Sequence, residues 1–388
     1  TGKMRKMAGS RRQFLRMAGA GAFALGAGAM LGRTARAARE RELNILCWEG
    51  YNSADVLDPF RSAHDAEVRA ESLTNDPTMI NRLRAGEINV WDLINVNNPW
   101  ARKVMYPEGL IRPIDRARFE PYFEKMMPQF KPPYRWAMSE DGEHLLGIAQ
   151  RYGPYSFVIN EDRISRDAAE DQGWDLWNDP GNAGRYAVQE TDDWNVFDLC
   201  MIAGFSPFVE HSEEEVARFE TAARNLFKGA KLIGDIATCN QALVSGEIDY
   251  YLPGGTYSAS LARADGQRQI RGVTPRRGPV DGKGGISWIE ITSVVNNPQL
   301  SPLAEVFLEY VQDPEVSHTV AFAEGTFNPV AQMGDPECFK LFTAEELDII
   351  QWDTLEEDMA RCVEYDIVPD YARLHGIMPA AKREASGG

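Results

Sequence analysis

The sequence lacks the short motifs that mark many nucleotide-binding and hydrolytic enzymes. The 388-residue chain contains no P-loop, HExxH or GxSxG pattern, and no GxGxxG pattern follows a strand after residue 37. Its five histidines are scattered, and none is paired at metal-ligand spacing. The pattern therefore predicts a protein without a cofactor or a metal site, and it gives no support to catalysis.

Cysteine is scarce and widely spaced. The five cysteines form no CxxC pair, so a structural zinc site is not expected. Because the number is odd, at least one thiol is unpaired within the chain. Buried free thiols are the expected state, and a single Cys338–Cys362 disulfide is the alternative in an oxidising compartment.

The weakly apolar stretch near the start of the chain is too short to cross a membrane. Residues 17–31 are mostly Ala and Gly, and a spanning helix needs about twenty residues of stronger hydrophobicity. The stretch follows two arginines in "SRRQFLR" (10–16) and precedes the small-x-small signal at residues 35–37. These features predict a signal peptide over residues 1–37, cleaved near Ala37. The S-R-R-x-F-L pattern resembles twin-arginine signals, which use the twin-arginine export machinery and would place the protein in the periplasm; an amphipathic anchor is the alternative.

Basic charge is in short supply after that leader. The whole chain has a net charge of −17, and residues 1–37 hold eight Lys/Arg and no acid. The remaining chain carries 33 basic and 58 acidic groups, a net charge of −25. Such a surface repels nucleic acid and attracts cations, although solubility or salt adaptation is an alternative reason for it. Roughly 350 residues exceed a single core and predict two domains.

Strand and helix patterns alternate after the leader. Strands over 43–48, 66–73 and 91–96 enclose helices over 54–65 and 76–86, the second with Asp76 as its cap. This βαβαβ order predicts a parallel sheet with right-handed crossovers.

A second alternating set follows the first without a long linker. Strands are predicted at 145–150, 155–160, 184–189, 248–252 and 284–295, with "RYGP" breaking the first two. Helices are predicted at 194–205, 212–227, 301–312 and 313–325. The helix at 212–227 begins with a capping box of Ser212 and Glu215. Two α/β units without a linker predict two lobes that are connected by strands.

Aromatic and acidic side chains recur where the predicted strands end. Open parallel sheets bind ligands at the carboxyl ends of their strands, so we expect these side chains to converge. They are Trp48, Glu49 and Tyr51 after the first strand, Asn97 and Asn98 after the third, Asp192 and Asp193 after 184–189, Tyr257 after 248–252, and Trp288 and Glu290 within 284–295.

This combination of side chains suits a small organic cation. An ammonium over an aromatic face gains roughly 0.5–2 kcal/mol, and a carboxylate about 4 Å away contributes on the order of 4 kcal/mol before desolvation. Trp48 and Trp288 could instead be core aromatics, and Asp192 and Asp193 could be helix caps. Glu290 is harder to explain as a structural residue, because a buried unpaired carboxylate in an apolar strand is costly.

The same residues resemble the motifs of periplasmic polyamine-binding proteins, the substrate receptors of spermidine/putrescine ABC importers. The similarity runs from residue 43 to about residue 374. The opening "WEGY" is similar to a Trp-x-acid-Tyr strand end, and "WDLINVNN" to a strand that ends in polar ligand contacts. "ETDDWNVF" resembles a segment whose acid holds an amine, "GGISWIEI" a Gly-Gly-x-x-Trp-x-Asp strand, and "AEGTFNPV" a late Gly-x-Pro turn.

The resemblance implies the two-lobe periplasmic binding protein type II fold, with mixed or parallel sheets in each lobe and hinge crossovers between them. Lobe I would comprise 38–151 and 286–325, and lobe II 152–285 and 326–388. The implied function is that of a monomeric receptor without catalysis. It would bind a putrescine- or spermidine-like amine and deliver it to a membrane ABC permease.

Departures from the family pattern leave other ligands open. Gly50 stands where the family has its acid, with Glu49 one position earlier, and Asn195 stands where a second acid usually follows. Glu357 aligns with a family Gln. Arg151 is placed to meet a carboxylate, so an amino- or guanidino-carboxylate such as 4-aminobutyrate is the alternative ligand. Two further alternatives are an enzyme on this scaffold and an iron-binding relative. The Tyr250-Tyr251 pair suggests iron, but neighbours on a strand face opposite ways.

Overall fold

The structure, a computed structural model, describes residues 39–73 and 75–387. The predicted signal peptide lies outside the described residues. The strands are β1 (Glu42–Cys47), β2 (Glu67–Ser72), β3 (Leu93–Asn97), β4 (Ile111–Arg112), β5 (Ile148–Asn160), β6 (Tyr186–Gln189), β7 (Leu232–Gly234), β8 (Tyr250–Gly255), β9 (Ile270–Val273), β10 (Gly285–Val295) and β11 (Cys362–Glu364).

Helices connect these strands and cover the sheet. They are α1 (Ala54–His64), α2 (Asp76–Arg84), α3 (Arg116–Phe123), α4 (Arg166–Gln172), α5 (Asp175–Asn178), α6 (Asp192–Ala203), α7 (Glu213–Gly229), α8 (Ile236–Ser245), α9 (Thr256–Ala264), α10 (Leu303–Tyr310), α11 (Pro314–Phe322), α12 (Pro336–Phe339), α13 (Ala344–Ile349), α14 (Trp352–Ala360), α15 (Tyr371–His375) and α16 (Met378–Ala385). The predicted capping box is present at the start of α7, where Ser212 and Glu215 bond each other's backbone. None of the described helices combines the length and the apolar character that a membrane crossing requires.

The strands form one mixed sheet with the order β2-β1-β3-β10-β5-β8-β6-β7. The outer sets are parallel, β2-β1-β3 at one end and β8-β6-β7 at the other. The central pairs β3-β10, β10-β5 and β5-β8 are antiparallel. The predicted βαβαβ unit is therefore confirmed, and each lobe holds part of the mixed sheet.

The long strands β5 and β10 pass from one lobe to the other. Their pairing runs from Ile286 opposite Tyr155 to Thr292 opposite Ile148, with a register shift at Glu290. The predicted break at "RYGP" is wrong, because β5 continues through it as a 13-residue strand that is buried along its whole length. Pro154 stays paired with Ser287. The backbone pairing and burial of its neighbours stabilise the strand more than the loss of one N–H donor weakens it.

Separate hydrophobic cores divide the molecule differently from the predicted boundaries. The first core collects residues from 43–152 and 289–355, and the second collects residues from 155–288 and 365–381. A smaller third core includes Val158, Leu243 and Tyr251 of the second lobe. The predicted boundary at 326 differs from this division, because Val330, Cys338 and other residues up to 355 pack into the first core.

Helices α13 and α14 also connect the lobes. The Arg263 guanidinium of the second lobe donates to a carboxylate oxygen of Asp348 at 2.7 Å. The Gln351 side chain bonds both backbone groups of Gly272, each at 2.8 Å. Two crossing strands and this helical segment therefore join the lobes.

All five cysteines lie within the described residues and are free thiols, as expected. Four are buried and Cys362 is half-buried. Because Cys338 and Cys362 are both free, the alternative disulfide between them is not formed.

Candidate functional site

A cavity of about 590 Å³ lies between the two lobes, in the size range of small-molecule sites. We call it the cleft. Its lining residues are Trp48, Glu49, Asn75, Asn97, Tyr155, Gln189, Glu190, Thr191, Asp192, Asp193, Trp194, Asp235, Ile236, Ala237, Tyr257, Leu261, Trp288, Glu290 and Thr326. Eight of the twelve residues expected from sequence are among them, drawn from five separate segments.

Trp48 is held at the end of β1 by a buried carboxylate. Its indole Nε1 donates to Asp76 Oδ1 at 2.6 Å, and Asn97 donates to the same carboxylate from its backbone N (3.3 Å) and its Nδ2 (3.1 Å). Burial raises the pKa of Asp76 to about 6, against the opposing effect of these donors. Asp76 is not the helix cap that the sequence predicted. Asn75 caps α2 instead, by accepting from the Thr78 amide at 2.7 Å.

Glu49 lines the cleft and has a carboxylate oxygen without a partner in the described part of the chain. Its Oε2 is buried and has no hydrogen-bond partner among the described residues. Its backbone oxygen accepts from Arg151 Nη2 at 2.7 Å, which fixes the chain at this point. Gly325 makes room for the side chain, since a Cβ there would lie 2.4 Å from Glu49 Cγ. Glu49 is therefore fixed in backbone position, and its carboxylate keeps one acceptor without a partner among the described residues.

Glu290 is paired within the protein rather than free. Its carboxylate accepts from Arg151 Nε and Nη2, both at 2.9 Å, and from the Tyr51 hydroxyl at 2.6 Å. The Arg151 guanidinium also lies 4.7 Å from the centre of the Tyr51 ring. Burial raises the pKa of Glu290, and the charge of Arg151 opposes that rise. Glu290 thus forms the floor of the cleft as half of a buried ion pair.

Two predicted ligand contacts, Tyr51 and Arg151, lie behind that floor and not in the cleft. They are 2% and 1% exposed, respectively, and neither lines the cavity. Arg151 is occupied by Glu290 and by the Glu49 backbone, so it is not available to a ligand carboxylate. This arrangement corrects the sequence interpretation, which could not detect a partner 139 residues away.

The second lobe contributes carboxylates from the starts of its helices. Asp192 and Asp193 begin α6, and Asp235 caps α8 by accepting from the Thr238 amide. Asp192 is paired with Lys382. Asp193 accepts from the Asn75 amide of the first lobe and from the Tyr371 hydroxyl, and His375 Nε2 lies 3.6 Å from it. Asp192 and Asp193 lie in the first turn of α6, where Thr191 occupies the cap position without a side-chain hydrogen bond, so the alternative interpretation of these two acids as helix caps is wrong. They line the cleft instead.

Aromatic rings cover the cleft from both lobes. Trp48 meets Trp194 edge-on with centroids 6.4 Å apart, and Trp194 lies 5.1 Å from Tyr155. Trp288 meets Tyr257 at 6.0 Å and 90°. The buried Nε1 of Trp288 has no partner among the described residues. Trp48 and Trp288 are both 7–9% exposed, so they are core aromatics that also form the walls of the site.

The electrostatic character of the cleft is strongly acidic. Six carboxylates line it, and none of the described lining residues is Lys, Arg or His. The acids are Glu49, Glu190, Asp192, Asp193, Asp235 and Glu290. Because two of them already have cationic partners, the remaining four give the cavity a negative charge that favours a cation.

Two further predicted contacts, Asn98 and Glu357, lie elsewhere. Asn98 holds backbone together: its Nδ2 donates to Tyr365 O at 2.8 Å, and its Oδ1 accepts from the Ile289 amide at 2.9 Å. Glu357 is exposed on α14, where it pairs with Arg361 and Arg166. Glu357 therefore does not line the cleft.

The tyrosine pair of the iron alternative faces two different cores. Tyr250 belongs to the second core and Tyr251 to the third, and the Tyr251 hydroxyl donates to Asn240 Oδ1 at 2.9 Å. Within the described residues, no group of three or more His, Cys, Asp or Glu is arranged to hold a metal ion.

Sequence reasoning missed eleven of the nineteen lining residues of the cleft, and it also missed one supporting residue. The missed lining residues include Asn75, Tyr155, Glu190, Trp194 and Asp235, and the missed support is Asp76. Trp194 and Glu190 flank the predicted Asp192 and Asp193, so the strand-end rule could have found them. The dipeptide Asn75-Asp76 before Pro77 offered a second signal, because Asn at the cap position leaves the following Asp free for another role.

The fold and the site define this chain as a two-lobed binding protein. Strands cross between its two α/β lobes, and the lobes enclose an acidic, aromatic cleft. The chain matches the bacterial extracellular solute-binding protein family over residues 55–339 and belongs to that family.

Solved structures share this fold at low sequence identity. The spermidine/putrescine ABC transporter substrate-binding protein PotD of Streptococcus pneumoniae is 15% identical, with a TM-score of 0.62 over 88% of this chain and 99% of that one. The TpPotD lipoprotein of Treponema pallidum is 13% identical, with a TM-score of 0.66 over 88% and 99%. The binding protein MotA of A. tumefaciens, solved with glucopine, is 13% identical, with a TM-score of 0.57 over 89% and 99%. A comparison with curated proteins gave no match.

Proposed function

We propose that this protein is the receptor of an ABC importer for a small organic cation that carries at least one amine, such as putrescine or spermidine. One observation carries the proposal: six carboxylates and five aromatic residues line the cleft, and its described lining residues include no basic side chain. Two of the structures with the same fold are named for spermidine and putrescine transport or for PotD, which supports the same class of ligand.

The cleft offers a distinct role to each type of side chain. Glu49 is the anchor for an ammonium group, because its Oε2 is buried and unpaired, and a charge-assisted hydrogen bond would satisfy it. Trp48, Trp194 and Trp288 provide faces for the cation and for its methylene groups, each contact worth roughly 0.5–2 kcal/mol. Asp193 and Asp235 on the opposite wall are placed for a second amine.

The paired state of Arg151 disfavours the alternative ligand, an amino- or guanidino-carboxylate. That alternative depended on Arg151 as the partner of a carboxylate. The guanidinium is 1% exposed and is held by Glu290 and by the Glu49 backbone. A ligand carboxylate in the cleft would instead meet an excess of negative charge.

The transport role follows the proposed ligand role. The two lobes would close on the amine, with β5 and β10 bending between them, and a membrane permease would recognise the closed form. The predicted twin-arginine leader would deliver the folded, monomeric receptor to the periplasm.

Titration calorimetry with putrescine, spermidine and 4-aminobutyrate tests the proposal. We expect both polyamines to bind, and 4-aminobutyrate to bind at least tenfold more weakly. Glu49→Gln should lower putrescine affinity at least tenfold without lowering the free energy of unfolding, because Glu49 Oε2 has no hydrogen bond to lose. Glu357→Gln is the matched control and should leave affinity within twofold. If neither polyamine binds with a Kd below about 1 mM, the proposal is wrong.

A further inference from the structure

A second cavity of about 210 Å³ adjoins the cleft. We call it the side cavity. Four residues line both cavities and form the partition between them, namely Trp48, Asn75, Asp193 and Trp194. The other residues of the side cavity are Asp76, Pro77, Ile80, Arg84, Trp100, Phe197, Tyr365, Ile367, Val368 and Tyr371.

The walls of the side cavity offer few free polar groups, because most of its polar side chains already have hydrogen-bond or ion-pair partners. Asp76 accepts from Trp48 and Asn97, and Trp100 Nε1 donates to the Tyr365 hydroxyl at 3.2 Å. Arg84 is exposed at the rim and paired with Glu108. What remains is a surface of aromatic rings and branched aliphatic side chains that suits a hydrocarbon group.

Asp193 occupies the junction of the two cavities. Its carboxylate accepts from the Asn75 side chain of the first lobe. Trp48 of the first lobe also meets Trp194 of the second edge-on. A ligand ammonium that takes the place of the Asn75 side chain on Asp193 would lie at the partition, which Trp48 and Trp194 also line. From that point, one substituent of the nitrogen would extend into the acidic cleft and the other into the side cavity.

Building on the proposed function, we propose that the side cavity binds the apolar arm of the amine, so that the ligand class is an amine with an aromatic or branched alkyl substituent. The charged arm lies in the cleft near Glu49, and the apolar arm lies against Trp100, Phe197 and Val368. The volume fits this assignment, because an apolar cavity of about 150 Å³ accommodates benzene, and the side cavity measures about 210 Å³.

A pair of probes that differ only in the apolar arm tests this inference. Titration calorimetry would compare putrescine with N-benzylputrescine, which carries the same two amines and one added ring. We expect the benzyl compound to bind the wild-type protein at least tenfold more tightly. Val368→Trp would fill the side cavity without touching the cleft. It should reduce the benzyl preference to less than threefold, while putrescine affinity stays within twofold; a thermal melt checks that the variant is folded. Ile233→Trp, at an exposed position on β7, is the control and should leave the preference unchanged.

Each outcome separates this inference from the proposed function. If putrescine binds and the benzyl compound binds no more than twofold better, the side-cavity inference is overturned while the amine receptor stands. If the benzyl preference survives in a folded Val368→Trp variant, the apolar arm lies elsewhere and the inference again fails. If neither compound binds the wild-type protein, the proposed function itself fails.

Discussion

The first-lobe wall of the cleft buries its polar groups, whereas the second-lobe wall presents them near solvent. The first wall consists of Trp48, Glu49, Asn97 and Glu290, and the second of Glu190, Asp192, Asp193 and Asp235. In the first wall, three of the four residues are 3–9% exposed. In the second wall, Glu190 and Asp235 are exposed, and the side chains of Asp192 and Asp193 are 28% and 41% exposed.

The difference indicates separate duties for the two walls. In the first wall, Asp76 fixes Trp48 and Asn97, and Arg151 fixes Glu290. Rigid, desolvated groups lose little entropy on binding and act through a low local dielectric. The second wall depends on helix starts and exposed ion pairs, which are weak and adaptable. We therefore expect changes in the first wall to have larger effects than changes in the second.

The largest effect is expected where the buried ion pair is broken. Glu290→Gln leaves the Arg151 charge buried without a partner, so the free energy of unfolding should fall by about 3–5 kcal/mol, measured by urea denaturation. The double variant Arg151→Met/Glu290→Leu should recover most of that loss, since it removes both charges. A loss below about 1 kcal/mol in the single variant would show that the first wall does not depend on this pair.

The next largest effect is expected in the pH dependence of the free energy of unfolding, and it comes from Asp76. Its ordinary pKa of 3.8 is raised to about 6 in the folded protein, so the folded state holds the proton more tightly than the unfolded state does. The stability from this group is therefore full at low pH and is lost as the pH rises through this range. Relative to Asp76→Asn, the wild-type free energy of unfolding should fall by roughly 2 kcal/mol between about pH 4 and about pH 6.5. A pH-independent difference between the two proteins would contradict the assignment.

A substitution at Gly325 tests the position of the Glu49 side chain, and the same substitution at Gly86 serves as its matched control. Gly325 and Gly86 have φ values of +109° and +108°, but a Cβ at Gly86 meets nothing within 4 Å. Substitution by Ala should cost each protein roughly 1 kcal/mol of stability through backbone strain. Only Gly325→Ala should also lower putrescine affinity, by about tenfold, because it displaces the Glu49 side chain. Equal affinities in the two variants would argue against Glu49 as the anchor.

The smallest effect is expected in the second wall. Asp192 is partly exposed and already paired with Lys382, so Asp192→Asn should change stability by less than about 0.5 kcal/mol and putrescine affinity by less than threefold. Lys382→Met, which removes the partner, should give a change of similar size. A tenfold loss of affinity in Asp192→Asn alone would erase the contrast between the walls and make Asp192 a direct ligand contact.

Local patterns in the sequence predicted most of the elements correctly. The capping box at Ser212 and Glu215 and the strand–helix order over 43–97 depend on neighbouring residues, and the structure confirms both. The break at "RYGP" was wrong because Gly153 and Pro154 are local breakers, whereas pairing with β10 keeps the strand intact.

The candidate site was predictable in its position but not in its pairing. The rule that ligands bind at strand ends brought together Trp48, Asp193 and Trp288, which all line the cleft. Charge pairing over long separations was not visible: Glu290 pairs with Arg151 and Asp192 with Lys382, 139 and 190 residues apart. Consequently the sequence alone could not tell which acids are neutralised and which, like Glu49, are available to a ligand.

The register shift between β5 and β10 gives Glu290 two duties that cannot be separated. The residue lies in the floor of the cleft and also at the irregular point of the strand pair that joins the lobes. An engineer who replaced it to change ligand preference would alter the flexibility of the connection at the same time. Retargeting of this scaffold should therefore start from Glu190, which is exposed and lies outside the strand pair that joins the lobes.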